Sequence, residues 1–217
     1  MEDDPLLFSA SIDELEFHET DTSGKNHEHP LVFAGEAWLG RDLHKLWMKA
    51  EGEYFDGHTE STEAQVLYNR AATPFWDIQI GMRRDSHGGV ERDWAVIGFH
   101  GTAPYLIETE TALFIGEDGR SALRVKAGYE MPFTQRLILG SEVELNFHGK
   151  DDPLRGIRTG LSDVEAGLRV RYEIRREFAP YIGVSWEKLV GGTADLARFR
   201  GQASEETGVV IGIKAWF

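Results

Sequence analysis

The sequence contains no cysteine, which excludes disulfides and thiolate metal sites. It also lacks a long apolar run. The longest stretch free of formal charge is Trp94–Ile107, short of the roughly 18–20 apolar residues that a spanning helix needs. Positive charge is scarce: 23 Lys and Arg stand against 37 Asp and Glu, a net charge of −14. That balance argues against nucleic acid as a partner, because phosphates demand basic patches. Catalytic signatures are missing as well, with no G-x-S-x-G, H-E-x-x-H, G-x-x-x-x-G-K or EF-hand loop. No signal peptide is visible, since Glu2, Asp3 and Asp4 follow Met1 without a basic-then-apolar segment. If the protein is exported, the chain is expected to be a mature fragment with an added start residue.

A charged fraction of 28% and a mean hydropathy of −0.36 resemble a soluble protein. A transmembrane strand needs only about 9–11 residues and one apolar face, so a barrel can hide in such a composition. The pattern that is present is period-2 alternation, which sends successive side chains to opposite faces of a strand. In Ser162–Tyr172, Val164, Ala166, Leu168, Val170 and Tyr172 oppose Asp163, Glu165, Gly167, Arg169 and Arg171. In Leu137–Phe147, Leu137, Leu139, Val143, Leu145 and Phe147 oppose Ile138, Gly140, Glu142, Glu144 and Asn146. The same reading predicts twelve strands near 7–17, 30–40, 44–54, 62–70, 74–84, 93–101, 105–115, 120–130, 135–147, 161–173, 178–187 and 206–217. The first alternates poorly, and a bulge near Glu14 repairs it.

Short connections at Gly40–Leu43, Ala71–Thr73, Thr102–Pro104, Met131–Thr134 and Glu173–Glu177 alternate with mostly longer ones, such as His18–His29, Asp85–Arg92, His148–Gly160 and Lys188–Glu205. Alternating tight turns and long loops over an even strand count is the pattern of a bacterial outer-membrane barrel. The expected fold is therefore all-β: one transmembrane antiparallel barrel domain over residues 1–217. Its turns and both termini would be periplasmic and its long loops extracellular. A terminal strand closing on Phe217 is typical of clients of the barrel-assembly machinery. Trp38, Tyr54, Tyr68, Tyr105, Tyr129, Tyr172 and Trp186 lie near strand ends and suggest interfacial girdles against lipid and lipopolysaccharide. The competing architecture is a soluble sandwich or lipocalin-like barrel, but its packed core would not tolerate several mid-strand charges on one face.

If the apolar face meets lipid, the other face lines a lumen. The acidic candidates there are Glu108, Glu110, Glu142, Glu144, Asp163 and Glu165, among basic residues such as Lys49, Arg83, Arg124, Lys126, Arg169 and Arg171. Ion pairs bracing the wall are the plain reading; an acidic surplus that attracts cations is the functional one. His18, His27, His29, His58, His87 and His148 fall in or beside connections assigned to the outside, while His44 and His100 lie near the other rim. Imidazole is a favoured ligand for copper, zinc and nickel, so His18, His27, His29, His58, His87, His100 and His148 are metal candidates, although loops also simply tolerate histidine. Met48, Met82 and Ser141 have lipid-facing parity, and Met131 falls in a turn. Outer-membrane phospholipases share a twelve-strand plan, but no histidine is evident beside Ser141.

Several runs resemble the copper resistance protein B family (CopB/PcoB): Asn69–Asp77, Thr134–Leu139, Gly149–Pro153, Gly160–Arg169, Tyr172–Tyr181, Trp186-Glu187, Gly191–Ala197 and the closing Ala215-Trp216-Phe217. The likeness runs from about Asp13 to the C-terminus. It implies a Gram-negative outer-membrane barrel acting in copper resistance beside periplasmic copper proteins, with copper ions as the bound species. Family members carry a Met- and His-rich stretch before the barrel; here Met1 is the sole methionine ahead of Met48. That departure leaves the loop and lumen histidines as the candidate ligands. The expectation is a non-enzymatic protein that binds copper and lets it cross passively, the alternatives being a copper binder without transport and a general porin-like barrel.

Overall fold

The protein is described as a computed structural model in which residues 5–20 and 30–217 are placed. Twelve antiparallel strands follow one another: β1 (Leu7–Thr20), β2 (Leu31–Gly40), β3 (His44–Phe55), β4 (His58–Ala71), β5 (Trp76–His87), β6 (Val90–Ala103), β7 (Ile107–Gly116), β8 (Ser121–Pro132), β9 (Leu137–His148), β10 (Gly160–Tyr172), β11 (Phe178–Leu189) and β12 (Glu205–Trp216). Among the described residues one α-helix, α1 (Gly191–Phe199), sits between β11 and β12, and single 3-10 turns occupy Pro104–Leu106 and Glu117–Gly119. Each strand pairs with its neighbours in sequence, and β1 also pairs with β12, so the sheet closes into a barrel. Closure leaves no unpaired strand edge, which is what lets a sheet stand in hydrocarbon.

Burial is inverted relative to a soluble domain. Large apolar side chains stand exposed along the outer face, including Leu46, Met48, Val66, Ile80, Met82, Ile97, Phe99, Leu113, Leu168, Ile182 and Ile211. A continuous exposed apolar band of this kind marks contact with lipid. Tyr54, Tyr68, Tyr105, Tyr129 and Tyr172 are exposed with them, as a girdle requires. Trp38 departs from the girdle expectation: β2 turns it inward, where it packs against a lumenal cluster. The reason is parity, since Trp38 shares its face with Glu36 and lies opposite Trp47.

Several element ends differ from the sequence reading. Residues near 55–61 and 85–92, expected as loops, are hairpin ends with two-residue turns at Asp56-Gly57 and Gly88-Gly89. Those four residues have φ of 45°, 82°, 56° and 77°, the geometry that suits the twist of a tight hairpin. Met131 is not in a turn; it is a strand residue of β8 opposite Leu139. In β1 the register shifts between Ile12 and Glu14, the bulge anticipated near Glu14.

The connections at the long-loop end are tied together by charge. In the segment 149–159, Arg155 donates from Nη2 to Asp85 Oδ1 at 2.8 Å and to the Val90 carbonyl at 2.7 Å. Arg92 of β6 reaches Asp152 at 3.1 Å, and Thr193 of α1 accepts the Arg158 amide at 3.0 Å. Asp151 accepts the backbone amide and hydroxyl of Thr159 and faces Arg158, and these partners hold its carboxyl down to about 2.

Candidate functional site in the lumen

Alternation places a second set of side chains inside the barrel, and they divide into two unlike regions. Toward β3–β8, Trp47, Leu67, Trp94, Val96, Ala112 and Phe114 form a buried apolar cluster, with Trp38 and Ala122 against it. Trp94 lies over Gly116, its direct partner on β7, where a Cβ would come within 2.7 Å of the indole. Only glycine leaves room for that ring. The cluster fills part of the lumen, a feature the charge pattern of single strands did not reveal.

The remaining interior is charged. Arg124 of β8 makes a bidentate pair with Glu63 of β4 at 3.1 and 3.0 Å, bonds Glu144 of β9 at 3.0 Å and stands 3.9 Å from Glu51 of β3. Arg83 shares Glu63 at 2.8 Å and also pairs with Asp85, and both guanidinium groups flank the Phe114 ring at 4.5 and 5.7 Å. Lys49 of β3 meets Glu110 of β7 at 2.5 Å. Arg169 of β10 holds Glu14 and Glu16 of β1 at 2.9 and 2.5 Å. Nearer the short-turn end, Lys214 pairs with Asp13 at 3.2 Å and Arg171 pairs with Glu130. The Arg124–Glu63 and Lys49–Glu110 pairs and those of Arg169 join strands that are not neighbours, so they bridge the lumen rather than run along one wall.

Cross-strand register connects many of the acids into one row. Asp77 of β5 is opposite His100 of β6, His100 opposite Glu110 of β7, and Glu110 opposite Lys126 of β8. Lys126 is opposite Glu144 of β9, Glu144 opposite Glu165 of β10, Glu165 opposite Glu187 of β11, and Glu187 opposite Glu206 of β12. Directly opposed residues share a face with Cβ atoms about 5 Å apart. Strand tilt carries the row from Asp77, beside the turn before β5, to Glu206, beside the loop before β12. It therefore winds through the lumen from the short-turn end to the long-loop end. Among the described residues, Glu165 and Glu187 have no salt-bridge partner within 4 Å, and both are open to lumen water.

All six acids singled out from the sequence lie on the lumenal face. Glu110, Glu142 and Glu144 are paired with Lys49, Lys126 and Arg124; Asp163 accepts Asn146 at 2.8 Å; Glu165 belongs to the open stretch; Glu108 sits near the short-turn end opposite Gly128. The histidines are not brought together. His18 points inward and bonds Glu16 at 2.7 Å, and His148 bonds the Ser162 hydroxyl at 3.0 Å. His100 packs tilted against Trp47 with ring centroids 5.7 Å apart. His58 and His87 are exposed at hairpin ends, and His27 and His29 lie outside the described residues. His44 faces outward and stacks on Tyr68. Among the described residues no group of three or more His, Asp or Glu side chains is arranged to hold a metal ion. Met48 and Met82 are on the outer face, as is Ser141, whose hydroxyl donates to the Tyr129 carbonyl.

The sequence reading missed Glu14, Glu16, Glu63 and Asp85. Parity on β4 would have found Glu63 beside Gln65 and Asn69, and the bulge in β1 obscured the other pair.

A closed twelve-strand barrel with an apolar exterior and a charged interior defines an outer-membrane β-barrel protein. Solved structures agree at the level of fold. The NanC porin superposes with a TM-score of 0.63 at 11% identity, covering 95% of this chain and 98% of that one. The KdgM porin gives 0.54 at 12% identity over 94% and 98%, and outer membrane phospholipase A from Escherichia coli gives 0.52 at 14% over 94% and 89%. The family model for copper resistance protein B precursor (CopB) matches residues 6–217. Copper resistance protein B from Escherichia coli is 40% identical over 215 residues, 99% of this chain and 71% of the relative. A homolog from Pseudomonas syringae pv. tomato is 41% identical over 192 residues, 88% of this chain and 65% of its own length. The chain belongs to the copper resistance protein B family, and its role is in copper resistance.

Proposed function

We propose that this barrel is a passive outer-membrane conduit that binds copper ions transiently and lets them cross. The observation that carries the reading is the lumenal row from Asp77 to Glu206, which sets six carboxylates and His100 in register from one end of the barrel to the other. Low-dielectric walls of one sign concentrate counter-ions, and closely spaced weak sites let an ion enter without being trapped. The dispersion of the histidines fits such weak sites better than a single tight chelate. No chemistry beyond binding and passage is required of the protein, so the reading is non-enzymatic.

In this reading the long-loop end of the barrel faces outward, with His58 and His87 beside its two-residue hairpin turns, and the opposite turns and both termini face the periplasm, where copper-binding proteins would receive the ion. Phe217, bonded through its amide to the Ala10 carbonyl at 2.8 Å, would be the terminal signal for barrel assembly among lipid and lipopolysaccharide.

A second reading, a copper binder without transport, is favoured by the cross-lumen pairs and the apolar cluster, which narrow the channel. Copper uptake into liposomes holding the purified protein separates the two. In the conduit reading uptake exceeds that of empty liposomes and falls at least about tenfold when Glu165 and Glu187 become Gln. Copper that binds without crossing would replace the conduit reading with the binder. Parallel alanine variants of His18, His58, His87, His100 and His148 locate the contributing imidazoles.

A further inference from the structure

The row from Asp77 to Glu206 holds two members that are not acids, His100 and Lys126. Lys126 is its one lysine or arginine, with Glu110 on one side and Glu144, Glu165, Glu187 and Glu206 on the other. Its ammonium lies 3.1 Å from Glu142 and within electrostatic reach of Glu144 on β9, Glu51 on β3 and Glu14 on β1. Lys126 stands in the row itself, between Glu110 and Glu144, so a cation following the row passes it.

The neighbouring base, Arg124, differs in kind. It is locked by a bidentate bond to Glu63 and is 15% exposed, whereas Lys126 and Glu142 are 35% and 37% exposed. A water-accessible lysine pair is weak and exchanges readily, and the long stem of lysine can swing its charge aside.

We propose that Lys126 is a tethered competitor for the permeating cation and sets the ion selectivity of the lumen. With its ammonium 3.1 Å from Glu142 and its strand position directly opposite Glu144, it competes for carboxylates that a mobile cation would use. An arriving cation exchanges with it, which keeps those carboxylates from retaining the ion. The proposal rests on the conduit reading for its cargo, but the role of Lys126 applies to any small cation.

The test is a reversal-potential measurement in planar bilayers with a KCl gradient and no copper, comparing the wild type with Lys126→Gln and Lys126→Arg. Lys126→Gln should raise the potassium-to-chloride permeability ratio roughly threefold to tenfold at low salt, and the gain should shrink toward 1 M, where screening acts within about 3 Å. Lys126→Arg, which keeps the charge, should stay near the wild type. An unchanged ratio in Lys126→Gln, an equal shift in both variants, or no conductance in any of the three overturns the proposal. Copper uptake measured on the same preparations separates the two readings. A Lys126→Gln shift in KCl without copper uptake sinks the copper conduit and keeps the lysine's role; copper uptake with no shift does the reverse.

Discussion

Replacing Arg124 by Gln tests whether the ion pairs across the lumen hold the barrel together. Arg124 and Glu63 are 15% and 10% exposed, far drier than a surface pair, and Glu144 is 15% exposed. Removing one partner of a buried pair costs about 3–5 kcal/mol, because the other charge is left uncompensated. Here two of the orphaned groups keep a donor: Glu63 retains Arg83 at 2.8 Å, and Glu144 retains the Asn146 amide at 2.9 Å. The expected cost is therefore at the low end, about 3 kcal/mol. Adding Glu63→Gln removes the orphaned charge, so the double variant should recover about 2 kcal/mol relative to the sum of the singles. Urea unfolding in detergent followed by tryptophan fluorescence reads both quantities. A loss under about 1 kcal/mol, or strict additivity, would mean that the pair behaves like a solvated surface contact and that the bracing argument is wrong.

Three further outcomes are expected. Ile97→Arg places a charge on the outer face between Ile80 and Leu113, and for the barrel folded into lipid vesicles it should cost about 2–4 kcal/mol by urea unfolding followed by tryptophan fluorescence, against at most about 0.5 on a water-exposed surface. Trp94→Ala empties the centre of the lumenal cluster and should cost about 3–5 kcal/mol while raising single-channel conductance; unchanged conductance would mean that the cluster does not narrow the path. The Asp151 carboxyl lies at about 2 in the folded loop against 3.8 when free, so its contribution is present above about pH 4 and is lost as the pH falls toward 2. Protection of the Thr159 amide, after correction for the intrinsic pH dependence of exchange, should fall across that window, and Asp151→Asn should abolish that pH-dependent loss.

Strand number, inward and outward parity and the six lumenal acids were legible in the sequence. Each depends on the two-residue repeat of an extended chain, which is a local property. Strand ends were less legible. The hairpins at Asp56-Gly57 and Gly88-Gly89 continue through polar residues that alternate no hydrophobicity, and the Asp-Gly and Gly-Gly turn signals were absorbed into assumed loops. Trp38 misled because aromatic residues near strand ends serve both girdles and interiors, and only its partner Trp47 decides which.

The sequence by itself determined that this chain is a membrane barrel of the copper resistance protein B family, with an acidic interior. Tertiary structure alone decided how that interior is used. Which carboxylates meet Arg124, why Lys126 stands in a row running from Asp77 to Glu206, and why part of the lumen is filled by Trp47, Trp94 and Phe114 all follow from closure, stagger and one bulge. Those relations join residues up to 153 positions apart, as in Arg169 with Glu16, and no pattern within a single strand encodes them.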